Sequence, residues 1–338
     1  MHSLRTYILR NFSALFFSIF TPLFAIASII FIIKLASYTA VIELSLWEMF
    51  KLYLFILPEL LFYTLPLCFF IAAALSLHKL STDNEMIVIF ALAIKPQFIL
   101  KTLSMPALLL TILLSFNFLI LFPHVTTLST NFVRYKQSEA QFNLKASEFG
   151  HSFGDWLLYI GGVDNKTYSN IVLFRKDDVE EILIQASKAR ILNQNGVLQL
   201  QLFNGRGYSY TDEMLSELQF KDMSINNILQ TDLRAYKSPL EFWLDPDRAS
   251  SKKQMFITDT LLSLFPLASL FIILSIGIAH VRHNRGYLFL WIFATILIYY
   301  GATTALQGLL GFYTIPTVLL LFLALSYVIY RRKIVQRF

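Results

Sequence analysis

Six stretches of this chain run for 19 to 26 residues with at most one charged side chain. A bilayer core about 30 Å thick is crossed by roughly 20 such residues in a helix. The stretches are 12–33, 52–77, 102–122, 260–279, 287–306 and 312–330, and Glu59 is the one charge inside them. Three precede residue 123 and three follow residue 259, which predicts six transmembrane helices in two groups. Composition agrees: the 338 residues are 56% hydrophobic and 15% charged, against about 45–50% and about 25% in soluble domains. That disfavours a cytosolic enzyme and a disordered chain. The single cysteine, Cys68, rules out an intramolecular disulfide and a cysteine-based metal cluster. Arg5 and Arg10 precede the first stretch as they would in a secretory signal. A signal core is about 7–15 residues and ends in small residues, whereas this one stays apolar to Ile33, so it is expected to remain as a span.

The formal charge is +6, and its distribution decides its meaning. Short loops and tails on one side hold Arg5, Arg10, Lys79, Lys95, Lys101, Arg282, Arg285, Arg331, Arg332, Lys333 and Arg337, against Asp83 and Glu85 alone. The short loops on the other side hold Lys34, Lys51, Glu43 and Glu48. Basic loops stay cytoplasmic, so both termini are expected inside and residues 123–255 outside, in the periplasm of a bacterium with two membranes. That outer segment carries fifteen Lys/Arg and sixteen Asp/Glu. A nucleic-acid surface needs clustered positive charge, so no nucleic-acid partner is expected.

Three domains follow: 1–122 with the first three spans, 123–255 as an extramembrane domain, and 256–338 with the last three spans and a basic tail. In the middle segment short runs alternate in the manner of strands. They begin with Trp156 to Ile160 before Gly161-Gly162, then Asn170 to Phe174. Glu181 to Leu192 and Val197 to Phe203 flank Asn195-Gly196, a strong hairpin signal. Asn204-Gly205 reads as a second turn before Tyr208-Ser209-Tyr210, and Leu218 to Met223 as a further strand. The expectation is an antiparallel β domain of sandwich or jelly-roll type. Residues 132–142 and 238–249 read as helical or irregular joints to the membrane.

Catalytic motifs are scarce. None of the twelve glycines is followed by lysine, so the chain has no P-loop. No H-E-x-x-H or G-x-S-x-G occurs. His280 and His283 sit at helical spacing, but in a basic turn with no acidic residue beside them, and no metal site is expected. Glu59 lies within a span, where an acid either lines a functional path or snorkels outward.

The loop between spans two and three is the informative one. Thr82 with Glu85 three residues on has the form of a capping box, and Asp83 and Glu85 suit the positive end of a helix dipole. Pro96 disfavours helical geometry at Lys95. The spacing predicts a short cytoplasmic helix over 82–94. Its body, residues 86–94, is apolar all round and too short to span. It must bury itself against the membrane, other loops or another protein.

Leu75-Ser76-Leu77-His78-Lys79-Leu80-Ser81-Thr82-Asp83-Asn84-Glu85, the layout of three spans, β domain and three spans, and the features of the last third (Phe265-Pro266-Leu267, Tyr299-Tyr300, Gly311 to Pro316) resemble the lipopolysaccharide-export permeases LptF and LptG. Asn131-Phe132-Val133 resembles LptF more than LptG. In that family an acidic residue followed by apolar positions and Ala-x-Gly-Ile contacts an ATPase. Here Glu85 falls on the acid and Ala91-Leu92-Ala93-Ile94 on the later segment, with Ala93 in place of the glycine. The resemblance implies a non-catalytic subunit of an ABC exporter that extracts lipopolysaccharide or lipooligosaccharide and passes it to a periplasmic bridge. It implies ATPase-coupling residues at Asp83, Glu85, Met86, Ile89, Phe90 and Ala93. Its implied partners are a second permease, an LptB-type ATPase dimer and an LptC-type bridge protein. ATP and Mg²⁺ would be used by the ATPase, with no cofactor on this chain. The cargo's phosphates call for cations near the outer surface, where Lys34 and Lys51 stand, and Glu59 is the further substrate-binding candidate. A membrane subunit for another lipid or lipoprotein cargo, or a membrane-embedded lipid-modifying enzyme, are the alternatives. The enzyme would need paired buried polar groups, of which Glu59 alone is apparent.

Overall fold

The computed structural model of the protein describes residues 2–39, 44–141, 149–153, 156–164, 167–176, 180–194, 197–211, 214–228, 238–244, 249–278 and 287–336. The chain divides into two compact units. One comprises 1–35, 47–128 and 236–338, and the other 36–46 and 129–235.

The first unit is helical. Its helices, of which α1, α2 and α5 have end residues in the second unit, are α1 (His2–Thr39), α2 (Leu46–Thr82), α3 (Glu85–Ala91), α4 (Pro96–Phe116), a π-helical turn (Asn117–Leu121) leading into α5 (Phe122–Gln141), α6 (Pro239–Trp243), α7 (Ala249–Ala268), α8 (Leu270–Gly277), α9 (Leu288–Leu310) and α10 (Thr314–Tyr330). Continuous helical stretches long and apolar enough to cross a membrane are Ser3–Ala36, Leu46–Thr82, Pro96–Arg134 and Leu288–Val335. A fifth is the pair α7 and α8, bent by 48°. The bend follows Pro266, which lacks the N–H that would bond the carbonyl one turn back. The stretch Leu288–Val335 is not straight. Gly311 adopts φ 55°, a left-handed conformation that glycine takes without strain. Tyr299 and Phe322, twelve and eleven residues either side of it, bring their rings to 4.8 Å. Lys333 lies 5.2 Å over the ring of Trp291. Only a hairpin allows such contacts, so α9 and α10 are antiparallel.

α2 is the central helix: 61% of its apolar window is buried inside the protein, against 11% for α1. Its buried side includes Phe62, Cys68, Phe69, Phe70 and Leu77, with Ala72, Ala73 and Ala74 between them. Small residues let helix backbones approach closely, the commonest device of packing in lipid. At Gly277 the approach leaves no room: a β-carbon there would sit 2.5 Å from Cβ of Leu77 and 3.0 Å from the Ala74 carbonyl oxygen. Ser81 Oγ donates to the Gly277 carbonyl at 3.2 Å. Phe265 and Tyr299 join this core at 4.8 Å, and Tyr299 Oη donates to the Leu261 carbonyl at 2.7 Å.

The second unit carries one antiparallel sheet with strands in sequence order: β1 (Phe149–Phe153), β2 (Trp156–Asp164), β3 (Thr167–Lys176), β4 (Glu181–Gln194), β5 (Val197–Thr211) and β6 (Met214–Ile228). The expected inserted antiparallel β domain is present. Its described strands form a single meander and show no Greek-key crossover of the jelly-roll kind. β4 and β5 pair from Gln194 and Val197 outward, as the Asn195-Gly196 signal requires, although those two residues lie outside the described ones. Asn204-Gly205 is not a turn: β5 runs straight through it. β2 likewise continues through Gly161-Gly162. The joints are helical where described, in α5 and in α6, which begins with a capping box between Ser238 and Glu241.

Replacing Gly277 by alanine is expected to destabilise the helical unit by about 1–3 kcal/mol, the usual cost of overpacking, read as a lower unfolding temperature in detergent.

Candidate functional site

Two places gather the residues that chemistry would use, and both lie in the helical unit. The first is the short helix. α2 does not stop at Ser81: Thr82 is its last residue, and its hydroxyl donates to the Lys79 carbonyl at 2.9 Å. The expected cap at Thr82 is therefore absent. Asn84, at φ 61°, makes the turn instead, and α3 covers only Glu85–Ala91 rather than 82–94. Asparagine tolerates this left-handed geometry better than most residues. Ala93 also sits at φ 57°, where a side chain costs about 1–2 kcal/mol. That strain explains a glycine at the same place in the resembling pattern. Lys95 is extended and Pro96 opens α4, as the proline requires.

Glu85 accepts a hydrogen bond from Tyr7 Oη at 2.6 Å, which ties α3 to the first turns of α1. Arg5 stacks 5.4 Å over Phe98 at the start of α4. Met86 and Ile89 are buried in the helical core, with Phe90 and Ile94 packed against it. Ile87, Val88 and Leu92 point the other way and are 55%, 60% and 70% exposed. Asp83 and Ala93 are exposed beside them. The helix thus splits into a buried face and an uncovered apolar face edged by acids.

The second place escaped the sequence reading. Asp259 is 1% exposed in the middle of α7, and its Oδ2 has no hydrogen-bond partner among the described residues. It stands one residue before the fourth apolar run as counted from composition, so it looked like the end of a loop. The helix in fact begins ten residues earlier. α7 thus buries a second acid besides Glu59 of α2, and the expectation of a lone acid is overturned. The layer around them is polar. Ser115 and Ser263 meet at 3.4 Å and the rings of Phe118 and Phe256 at 5.8 Å. These contacts bracket Asn117 and Asp259 at one level of α4 against α7. Asn117 donates from Nδ2 to the Pro58 carbonyl at 3.0 Å, next to Glu59, while its own buried Oδ1 has no partner among the described residues. The π-helical turn begins at Asn117, and such turns frequently mark functional sites.

The structure does not bring the three proposed substrate-binding residues into contact. Lys34 is exposed on α1, Glu59 is exposed on α2, and Lys51 lies 5.9 Å over the ring of Trp47 one turn before it. His280 and His283 lie outside the described residues. Among the described residues no three potential ligands cluster to hold a metal.

The model of the lipopolysaccharide export system permease family LptF/LptG matches residues 6–331. The chain belongs to this family. The match takes in both units and all the apolar helices, so the protein is a multi-pass lipopolysaccharide transport permease of the inner membrane, and not a catalytic enzyme. No curated protein matches the chain.

Ala93→Gly is expected to stabilise the permease by about 0.5–1 kcal/mol, the relieved strain less the entropy of the new glycine, seen as a higher unfolding temperature. Asp259→Asn keeps the shape of the side chain but removes the cost of burying a carboxylate. The unfolding temperature of that variant should rise at neutral pH. A fall would show that Asp259 makes an ionic contact in the assembled transporter.

Proposed function

We propose that this permease is the membrane-embedded half of an ATP-driven exporter and that α3 is where a separate ATPase grips it. The observation that carries the reading is the uncovered apolar face of Ile87, Val88 and Leu92 between Asp83, Glu85 and Ala93, on a chain with no P-loop. An exposed apolar face on a seven-residue helix is costly in water and is covered in a complex. The opposite face is rooted in the helical core through Met86 and Ile89, and the Tyr7–Glu85 bond ties the start of α3 to α1. A push on α3 therefore reaches the spanning helices directly.

The remaining assignments follow the same reading. Counting the α9–α10 hairpin as two crossings, and α7 with α8 as one, makes six. The basic loops set both termini and α3 in the cytoplasm, and the β unit in the periplasm. A second permease of the family covers the largely exposed apolar surface of α1, so that an apolar cavity between the two takes the acyl chains. The partners are an LptB-type ATPase dimer, which uses the ATP and Mg²⁺, and an LptC-type bridge protein that receives the lipid. The run Asn131-Phe132-Val133 favours the LptF position. Lys34 serves the phosphates of the cargo, while the stacking of Lys51 on Trp47 supports an interfacial anchor.

Two measurements test this. Mass spectrometry of the purified complex should identify a lipopolysaccharide or lipooligosaccharide. Glu85→Arg should lower the co-purified P-loop ATPase by about tenfold or more through charge reversal at the docking edge, with the lipid still bound. Undiminished ATPase in that variant would remove the docking role from α3.

A further inference from the structure

A crease crosses the sheet of the second unit. Gly161, Asn170, Ser187, Asn204 and Lys221 line up across β2 to β6, and strand pairing is interrupted at each but resumes beyond in the same register. The side chains that reach the apolar core change parity there. Ile171 and Leu173 alternate to Tyr168 across Asn170, and Ile184 and Ala186 to Ala189 across Ser187, all within one cluster. Asn170 in β3 and Asn204 in β5 sit on this line at φ 50°, while Ser187 between them keeps ordinary strand geometry. At the left-handed Asn170 two successive side chains, Ser169 and Asn170, are both exposed, and on the neighbouring strands Ser187 with Lys188 and Lys221 with Asp222 are exposed in pairs too. A core alone needs no such line, since unbroken alternation would bury the same face.

The crease sits beside a groove of about 670 Å³ on the outer face of β3 to β6, within the range of about 300–1,000 Å³ of small-molecule sites. Four amides line it: Asn170, Gln185, Asn204 and Gln219. Ser187 and Tyr208 add hydroxyls. Ser187 spends its proton on the Asn204 carbonyl at 2.6 Å, bracing the crease and presenting lone pairs. Arg206 and Lys221 supply positive charge, and no carboxylate is among the described residues that line the groove. Phe220 lies across Gly205, where any β-carbon would strike its ring and the Gln185 carbonyl. Gly205 thus leaves room for Phe220, whose ring packs against the apolar cluster of the sheet.

We propose that this groove binds an acidic saccharide. Amide side chains both donate and accept, which matches neighbouring sugar hydroxyls. The ring of Tyr208 offers an apolar platform for sugar C–H faces, and Arg206 with Lys221 selects a carboxylate or phosphate substituent. The inference rests on the export reading for one point only, the origin of the sugar: a lipopolysaccharide joins a saccharide to its lipid, and the groove would hold the saccharide.

The test uses the purified full-length permease and a water-soluble acidic oligosaccharide prepared by removing the acyl chains from lipopolysaccharide, with binding followed by calorimetry. Saturable binding is expected. It should weaken about tenfold or more in the Arg206→Gln/Lys221→Gln double variant, and for a neutral oligosaccharide of equal length, through loss of charge-assisted bonds. Asn204→Gly keeps the left-handed backbone and removes one amide, and should weaken binding about threefold, one hydrogen bond's share. Unchanged unfolding temperatures would show that both variants fold. No saturable binding, equal binding by the double variant, or complete displacement by inorganic phosphate at equal concentration would overturn the proposal. A permease that carries the lipid but ignores the sugar sinks only the groove. One that binds the sugar but never co-purifies with the lipid sinks the export reading instead.

Discussion

Lipid offers no hydrogen-bond partners, and the helical unit is arranged around that shortage. Every backbone polar group within the apolar helices must be met inside the protein. Hydroxyl side chains therefore turn back on their own helix, as Thr64 does to the Leu60 carbonyl and Thr295 to the Trp291 carbonyl. Where a helix is broken, another helix supplies the bond: Ser81 reaches the Gly277 carbonyl at the end of α8, and Thr314 reaches the Leu306 carbonyl across the turn at Gly311. Among the described residues of this unit a few buried oxygens stay unpartnered, on Ser76, Thr111, Asn117, Asp259 and Tyr330, and Asp259 is the only carboxylate among them. A carboxylate held in such a layer is costly.

Close helix approach is the second consequence. With no hydrophobic drive between helices in lipid, association depends on surfaces that fit. The alanine run of α2 and Gly277 of α8 provide this fit at one end of the bundle, the end that also carries α3. Tyr7 and Arg5 bind the start of α1 to α3 and α4 there. The short helix is thus a rigid handle on its inner side and an open apolar surface on its outer side. In the β unit, the analogous device is the left-handed asparagine. It bends the rule of alternation so that polar side chains gather on one outward face while the apolar cluster beneath stays closed.

The apolar runs, the position of the β segment and most of its strands were legible because they depend on local periodicity and on length alone. Glu181 to Leu192 and Val197 to Phe203 became β4 and β5 around the hairpin that Asn195-Gly196 announces. The misreadings share one cause. Asn204-Gly205 has the chemistry of a turn and Thr82 the chemistry of a cap, but each lies where its neighbours prolong the element, and pairing or packing outweighs the local preference. Asp259 was missed for a related reason. A charge beside an apolar run looks like its boundary, and only burial by neighbouring helices shows that the helix continues past it.

By itself, then, the sequence determined that the chain crosses a membrane, carries a β insertion, lacks an ATP-hydrolysing loop and holds a short acidic-then-apolar segment between its second and third apolar runs. These follow from composition over windows longer than any one contact. The tertiary structure decided which face of that segment stays open, that α7 buries a second acid besides Glu59, that α9 and α10 fold back on each other, and that five residues from five strands fall on one crease. Those are relations between residues far apart in the chain, and no local free energy encodes them until packing brings them together.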